Sequence, residues 1–272
     1  MSSAAVLVSK LDAVALRREL GAVPKHVRVV AKPPRSAARH ALMLTTDGAV
    51  GRYYPELRHL LEREVGLALF RDSEVAGAGR GPAQDVALLA AETSTVPYIV
   101  PDRDALRRLV FARTTGTEER LIASVSLERG EIVVWSCEPR PYRVKVSAIR
   151  PLAQLSALGL AAFRVSESGS RVHWDEGDVD LGLDAFRFHA DPAFRALRQR
   201  DVRAEAVRYA HAIRKLREAS GLKQSGIQGL SEREVRRLES GRHMPQYRSL
   251  ERLAAAHGVS VEEYVAALAA TA

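Results

Sequence analysis

The residues whose types and spacing are best suited to a chemical task lie near the C-terminal end, at residues 231–239. Ser231 stands three residues before Glu234, which is the spacing of a capping box, so the pattern predicts a helix that starts at Ser231. Val235 and Leu238 share one side of this helix and are predicted to face inward. The arginines on its other sides are then exposed, and their planar, permanently charged forks suit an anionic partner.

A second group with chemical potential lies at residues 173–180, where the sequence reads His-Trp-Asp-Glu-Gly-Asp-Val-Asp. One histidine and several carboxylates could bind a divalent cation or pair as acid and base. However, alternation along a strand places Asp178 and Asp180 on one face and lets Trp174 pack below them. The spacing of His173 and its acids matches no specific metal site. We therefore favour a polar rim over a small core and predict no bound metal.

Other enzyme signatures are missing from the sequence, which contains no Ser/His/Asp signature, zincin helix, Walker loop or dinucleotide fingerprint. The glycine-rich stretch at residues 77–82 lacks the spaced glycines and the Lys-Ser/Thr ending that wrap a backbone around phosphate. It is predicted to be a surface loop. We expect a protein that is not an enzyme and uses no cofactor.

The positive charge of the chain is concentrated toward its end. The 272 residues include 41 Lys and Arg against 33 Asp and Glu, a formal charge of +8. From Pro192 onward there are 15 basic and 9 acidic residues, a net +6, against a net +2 for residues 1–191. The last 81 residues are therefore the better candidate for contact with an anionic partner.

Cysteine usage and hydropathy indicate the compartment. A single cysteine, Cys137, excludes intrachain disulfides and a cysteine-rich metal site, and it is expected to be a buried small hydrophobe. No run of about 18 or more apolar residues occurs, so no span of a bilayer is expected. The first residues lack the basic start and apolar length of a secretory signal. These features predict a cytoplasmic protein with no membrane partner.

Helical and β-rich segments alternate through the first 190 residues. Apolar spacing predicts helical segments over residues 10–20, 55–65, 101–113 and 152–163. Runs of β-branched residues predict strands over 27–31, 42–45, 142–146 and 178–183, and hairpins over 121–137 and 163–174. Trp135 and Trp174 are expected in the core or an interface.

The strand signals stop beyond residue 191. The fold class is therefore predicted to be an α+β N-terminal region of mixed helices and antiparallel hairpins, followed by an all-α C-terminal domain. We predict an α+β domain of unknown role at residues 1–140, a small α+β domain at 141–191 and a helical domain at 192–272.

The C-terminal region is a series of short, clearly punctuated helices. Apolar spacing predicts helices over residues 209–218, 222–228, 231–239, 250–256 and from 260 onward. Gly221 and Gly258 can take the left-handed conformation that closes a helix. Ser260 and Glu263 form a second capping box, which predicts the start of the last helix.

Three runs of this region have a recognisable pattern. They are Leu-Arg-Glu-Ala-Ser-Gly-Leu-Lys-Gln at 216–224, Leu-Ser-Glu-Arg-Glu-Val-Arg-Arg-Leu-Glu-Ser-Gly-Arg-His-Met-Pro at 230–245, and Leu-Ala-Ala-Ala-His-Gly-Val-Ser at 253–260. Together they resemble the lambda-repressor-like helix-turn-helix of the Xre and Cro regulators. The resemblance covers roughly residues 207–268. Residues 142–190 resemble more loosely a small domain of unknown function that precedes such motifs in some bacterial proteins.

The resemblance implies where DNA would be contacted. In this family the start of the third helix enters the major groove while the second helix crosses the backbone. Arg233 and Arg236 would then read bases, since the arginine fork matches guanine O6 and N7. Gln224 and Glu232 would read adenine or cytosine edges. Backbone contacts would come from Lys223, Arg237, Arg242, His243 and Arg248.

The sequence departs from the family pattern in one place. About three residues fewer than usual separate Gln224 from Glu239, and the missing turn falls after Ile227. Gly226 and Gly229 weaken the second helix further, by roughly 1 kcal/mol each relative to alanine. The second helix is therefore predicted to be short.

These observations predict a sequence-specific regulator of transcription that binds double-stranded DNA, most simply as a homodimer on paired half-sites. Its N-terminal region would then dimerise or sense a small effector. Two alternatives remain open. The N-terminal region could bind a partner protein, as in an antitoxin or a defence-system regulator. It could also be an unrecognised enzyme around His173 and its acids.

Overall fold

A computed structural model describes residues 6–34, 41–63, 65–71, 83–93 and 96–271. The chain forms two compact units, Met1–Asp191 and Pro192–Ala272, which are described in turn. The loop predicted at 77–82 lies outside the described residues. Among the residues that are described, no helix combines the length and the apolar character needed to cross a membrane.

The first half of unit 1 alternates strands with helices. The strands are β1 (Val6–Ser9), β2 (Val27–Val30), β3 (Leu42–Thr46), β4 (Gly66–Phe70) and β5 (Tyr98–Ile99). The helices are α1 (Lys10–Leu20), α2 (Tyr54–Glu62), α3 (Ala83–Glu92) and α4 (Arg103–Thr115), with a short 3₁₀ turn at Asp47–Ala49. The helices predicted over 10–20, 55–65 and 101–113 are confirmed to within a few residues at each end.

The strands of this half form a parallel sheet, which corrects the expectation of antiparallel hairpins here. Within the described residues its order is β2-β1-β3-β4-β5, and every neighbouring pair is parallel. Both faces are covered: Val8 and Leu44 belong to one buried cluster, and Leu7 and Met43 belong to another. A strand buried on both faces has no polar alternation, so β1 and β4 gave no strand signal in the sequence.

A buried carboxylate joins the carboxyl ends of β1 and β3. Asp12 is 2% exposed and lies in the first turn of α1, where the Ser9 side chain caps the helix. Its carboxylate accepts hydrogen bonds from the hydroxyls of Ser9 (2.7 Å), Thr45 (2.8 Å) and Thr46 (2.7 Å), and from the Thr46 amide (3.0 Å). Because both carboxylate oxygens are satisfied, this network fixes α1 against the sheet.

The second half of unit 1 contains two small antiparallel sheets, as the hairpin signals predict. One consists of β6 (Ile122–Glu128), β7 (Glu131–Ser136) and β8 (Pro141–Lys145), and the other of β9 (Phe163–Val165), β10 (Val172–Trp174) and β11 (Val179–Leu181). Two helices, α5 (Ala157–Ala161) and α6 (Leu183–Ala190), and 3₁₀ turns at Val146–Ala148 and Leu152–Gln154 complete it.

One hydrophobic cluster joins the two small sheets. It contains Val134 from the first sheet and Trp174 from the second. The Trp174 indole donates a hydrogen bond to the Leu160 carbonyl at 3.0 Å. Strand β8 pairs with β7, so the boundary predicted between residues 140 and 141 falls between paired strands. The division into domains stays a prediction.

Cys137 follows β7 and is fully buried, as expected for a small hydrophobe. Burial raises the pKa of its thiol to about 12, and the thiol therefore stays protonated at neutral pH. Trp135 packs its ring 4.7 Å from the ring of Tyr98. Both tryptophans are thus packed against core residues, as the sequence predicts.

Unit 2 contains helices joined by turns, and no strand among its described residues. It consists of α7 (Pro192–Ala219), a 3₁₀ turn at Gln224–Gly226, α8 (Glu232–Glu239), α9 (Tyr247–Ala256) and α10 (Val261–Thr271). Its core includes Ile213 of α7, Val235 of α8, Leu253 of α9 and Leu268 of α10, each fully buried. Each of the four α-helices thus contributes side chains to one shared core, which holds the helices together.

Candidate nucleic-acid interface

The end of α7 is set by a Schellman motif. Gly221 adopts a positive φ of 68°, and its amide donates a hydrogen bond to the Glu218 carbonyl at 3.0 Å. The Leu222 amide reaches back to the Arg217 carbonyl at 3.1 Å. These two bonds satisfy the last carbonyls of the helix and turn the chain sharply. The left-handed closure that the sequence predicts at Gly221 is confirmed.

The segment after this turn is shorter than an α-helix. The brief second helix predicted over residues 222–228 is wrong as an α-helix, because the structure has one 3₁₀ turn at Gln224–Gly226. Gly226 and the positive φ of 80° at Gly229 disfavour a continuous helix, and Ile227 between them is held in the core at 2% exposure. The sequence was therefore right that this segment is shortened, and wrong that an α-helix forms there.

Helix α8 begins with the capping box that the sequence predicts. The Ser231 hydroxyl accepts a hydrogen bond from the Glu234 amide at 3.3 Å, and the Glu234 carboxylate accepts one from the Ser231 amide at 2.7 Å. Hydrogen bonds from the Ser231 side chain and backbone hold the pKa of Glu234 below its ordinary value. Two otherwise unpaired amides are thereby satisfied, so the eight-residue helix has a fixed start.

A buried ion pair joins the end of α8 to the end of α7. Arg217 donates from Nε to Glu239 Oε1 at 2.5 Å and from Nη2 to Glu239 Oε2 at 3.2 Å, with side chains that are 9% and 5% exposed. Arg217 Nη1 also donates to the Leu222 carbonyl at 2.8 Å. Hydrogen bonding to Glu239 raises the pKa of Arg217, so the guanidinium stays charged. This bidentate pair fixes the direction of α8 relative to α7.

Close packing also restrains the other side of α8. Gly241 follows the helix with a φ of 67°, and a Cβ atom there would lie 2.8 Å from the Val207 Cα on α7. Any larger residue would push the two helices apart. Together with the buried ion pair, this contact holds α8 in one orientation.

The side of α8 that is turned away from the core carries the predicted base-reading residues. Val235 is fully buried and Leu238 is half-buried, which leaves Glu232, Arg233 and Arg236 exposed. Arg236 Nη2 lies 2.6 Å from Glu232 Oε1, an exposed pair one turn apart. The Arg236 guanidinium therefore lies along the surface of α8, paired with Glu232 on the same face.

The other predicted DNA contacts are distributed over unit 2. Those with exposed side chains are Lys223, Arg237, Arg242, His243 and Arg248. Gln224 differs from them: it is half-buried, and its Nε2 donates to Glu239 Oε2 at 2.7 Å. Its amide nitrogen is thus used within the protein, and its carbonyl oxygen is the atom left for a base edge. The roles assigned to all nine residues stay predictions.

Arg217 was not among the predicted site residues, although it positions them. Its sequence signal was weak, since Arg217 and Glu239 are 22 residues apart and neither lies in an apolar stripe. Arg252 is a second positioning residue, because its guanidinium donates to the Gly229 carbonyl just before α8. Arg252 thus supports the start of α8, and Arg217 supports its end.

Two of the acids around His173, Asp175 and Asp180, form ion pairs on the small sheet of β9, β10 and β11. His173 Nδ1 lies 3.2 Å from Asp180 and its Nε2 lies 3.1 Å from Asp175. The same two carboxylates pair with Arg171 at 3.3 Å and Arg164 at 2.6 Å. Among the described residues no group of three or more His, Cys, Asp or Glu is placed to hold a metal ion. This geometry is that of a charged outer face over the buried Trp174.

The comparisons with known proteins bear on this geometry. Residues 208–268 match the family described as a helix-turn-helix domain. This segment begins within α7 and includes α8, α9 and most of α10. No curated protein and no solved structure matches the chain. The C-terminal unit therefore contains a helix-turn-helix domain, a module that proteins use to place one helix in the major groove of DNA.

Proposed function

We propose that this protein is a sequence-specific regulator of transcription that binds double-stranded DNA through α8. The observation that carries the proposal is that α8 lies within the matched helix-turn-helix segment and presents Arg233 and Arg236 away from the core. Its start is fixed by a capping box and its end by a buried ion pair. A rigid helix with an exposed arginine face is what base readout in the major groove requires.

Within this proposal α8 is the recognition helix of a lambda-repressor-like domain of the Xre and Cro kind. Arg233 and Arg236 read guanine, and Glu232 and the carbonyl of Gln224 read the bases beside them. Lys223, Arg237, Arg242, His243 and Arg248 contact phosphates. Neutralising phosphates releases counterions, so these contacts supply the salt-dependent part of the affinity.

The mechanism is occupancy rather than catalysis. A bound homodimer blocks or recruits polymerase at paired half-sites, whose centres lie about 34–36 Å apart or a multiple of that spacing. The α/β region of residues 1–191 dimerises or senses an effector, and an effector changes occupancy through its different affinities for the two states.

The test measures binding of the full chain to a pool of random duplexes and to the DNA upstream of its own gene, between 50 and 200 mM salt. Over this range of salt, the affinity of a protein that makes 6–10 phosphate contacts falls by about 10³–10⁵. Arg236→Ala is expected to cost about 1–3 kcal/mol and to relax the preference at one base pair. Arg242→Ala is expected to weaken all sequences alike and to reduce the salt slope by about 1.

Arg214→Ala is the matched control. Arg214 forms an exposed ion pair with Glu218 one turn away on α7, at 2.9 Å, just as Arg236 does with Glu232 on α8. The two substitutions remove the same kind of surface interaction, yet we expect only Arg236→Ala to change DNA binding. Equal losses for Arg214→Ala and Arg236→Ala, or no preferred sequence in the pool, would reject α8 as the reading helix.

A further inference from the structure

Arg108 on α4 is a buried cation with no acidic partner in the part of the chain that the structure describes. It is 7% exposed, and its Nε donates to the Ala123 carbonyl of β6 at 2.8 Å. Among the described residues no carboxylate lies within 4.0 Å of its guanidinium, whereas the neighbouring buried Arg113 reaches Glu118 at 3.4 Å. Arginine is almost never buried without a counter-ion, because taking its charge out of water costs several kcal/mol.

A cavity of about 780 Å³ lies beside this cation, within unit 1. One wall is formed by α4, with Arg107, Arg108 and Phe111, and the opposite wall by the end of β9 and the turn after it, with Val165 and Glu167. The volume is within the range of small-molecule sites, about 300–1,000 Å³.

The wall opposite α4 is rigidly attached. Gly169 lies in the turn between β9 and β10 with a φ of 76°, and its carbonyl accepts a hydrogen bond from the Ile122 amide at 2.7 Å. A Cβ atom at Gly169 would overlap the Ile122 carbonyl oxygen and lie 3.2 Å from Arg108 Cδ. The turn is therefore packed directly against β6 and the stem of Arg108, which fixes the width of the cavity.

The lining limits the chemistry of a ligand. Phe111 is 52% exposed, and together with Val165 it offers an apolar surface to the cavity. Arg107 already pairs with Asp104, at 3.4 Å, so Arg108 is the cation left to be neutralised. Glu167 on the opposite wall would repel a second negative charge. These features together favour a ligand with one anionic group and an apolar body.

We propose that this cavity binds a small organic monocarboxylate, whose carboxylate pairs with Arg108 and whose apolar body packs between Phe111 and Val165. The arginine fork matches a carboxylate bidentately, and the ligand supplies the counter-ion that the protein does not. This assignment goes beyond the proposed DNA-binding function and does not depend on it.

The experiment titrates the full chain with three probes, benzoate, phenylacetate and indole-3-acetate, and measures binding by saturation-transfer NMR and calorimetry. At least one probe is expected to saturate with a dissociation constant no weaker than about 10 mM, the range for ligands of this size. The uncharged analogue phenylacetamide is expected to bind at least about 10-fold more weakly than phenylacetate, since it cannot neutralise Arg108. Saturation by no probe, or equal binding of the acid and its amide, would overturn the site.

Variants locate the binding. Arg108→Gln is expected to weaken carboxylate binding at least about 10-fold through loss of the charge. Phe111→Ser, at a position that is 52% exposed, is expected to weaken it about 5-fold through loss of apolar contact. Arg120→Gln, an exposed arginine of the same unit outside the cavity, is the matched control and should bind as the unchanged protein does. Unchanged binding in Phe111→Ser, or equal weakening in Arg120→Gln, would place the ligand elsewhere.

Discussion

Arg217 in the helix-turn-helix unit and Arg108 in the α/β unit are both buried arginines, and they differ in what surrounds them. Arg217 is held by both oxygens of Glu239 and by a backbone carbonyl. Arg108 has a backbone carbonyl as partner and faces a cavity. Burial of the same side chain therefore has different consequences in the two units. Where the protein supplies the counter-ion the arginine is structural, and where it does not the arginine is available to a ligand.

The largest effect is expected from breaking the pair on the helix-turn-helix side. Arg217→Met leaves the buried Glu239 carboxylate without its cation, although the Gln224 amide still donates to it, and should lower the free energy of opening of this domain by about 3–5 kcal/mol. The measurement is hydrogen exchange of peptides from residues 208–268, which reports on this domain in the full chain.

The double variant Arg217→Met with Glu239→Met is the control for that prediction. Removal of both charges should recover most of the lost protection, because an apolar pair of similar volume replaces the ion pair without leaving a buried charge. If the double variant loses as much protection as the two single variants added together, the two residues are not coupled.

A smaller effect is expected at the start of α8. Ser231→Ala removes the side-chain half of the capping box and should cost about 0.5–2 kcal/mol. Exchange of the amides in the first turn of α8 should accelerate, while peptides of unit 1 should be unaffected. Ser231→Asp, which keeps a capping acceptor, should restore protection. Similar acceleration in both variants would mean that the cap does not stabilise α8.

The matching change on the α/β side should have the weakest effect on stability. Arg108→Met loses the hydrogen bond to Ala123 but also removes a buried charge that no described carboxylate neutralises, so the two contributions oppose each other. Without ligand we expect protection of α4 and β6 to fall by no more than about 1 kcal/mol, the worth of one hydrogen bond, and to rise if the relieved desolvation cost is larger. A loss as large as that of Arg217→Met would show that Arg108 is structural.

The stability of the helix-turn-helix unit should also depend on pH, through the partly buried His257. Burial lowers the pKa of His257 in unit 2 below its ordinary 6.5, and its Nε2 is buried without a hydrogen-bond partner among the described residues. The unfolded state therefore binds the proton more tightly. The stability contributed by neutral His257 is complete above pH 6.5 and is lost as pH falls from there through the folded-state pKa.

The measurement is hydrogen exchange of peptides from 208–268 at pH 7.5 and 5.5, corrected for intrinsic rates. Protection should be lower at pH 5.5, and His257→Gln should remove the difference. The glutamates of this domain with lowered pKa values, Glu218, Glu234 and Glu263, lose their contribution only below about pH 4.5, outside this window. A pH difference that persists in His257→Gln would assign it to another group.

The sequence was most informative where structure follows from neighbours along the chain. The capping box of Ser231, the closing turn at Gly221 and the hairpin at β6 and β7 were all predicted, because each depends on residues a few positions apart. The exposure of Arg233 and Arg236 followed from the same local periodicity. Two features were missed: the parallel sheet, whose fully buried strands show no alternation, and the 3₁₀ turn that replaces the second helix.

The sequence by itself thus determined the antiparallel hairpins, the helix caps and the charged face of α8, since these depend on propensity and spacing between nearby residues. Only the tertiary structure decided that Glu239 reaches Arg217 across 22 residues and that Arg108 meets a cavity instead of an acid. The physical reason is that desolvation of a charge and the position of its partner depend on which distant segments pack around it. No local pattern records those contacts.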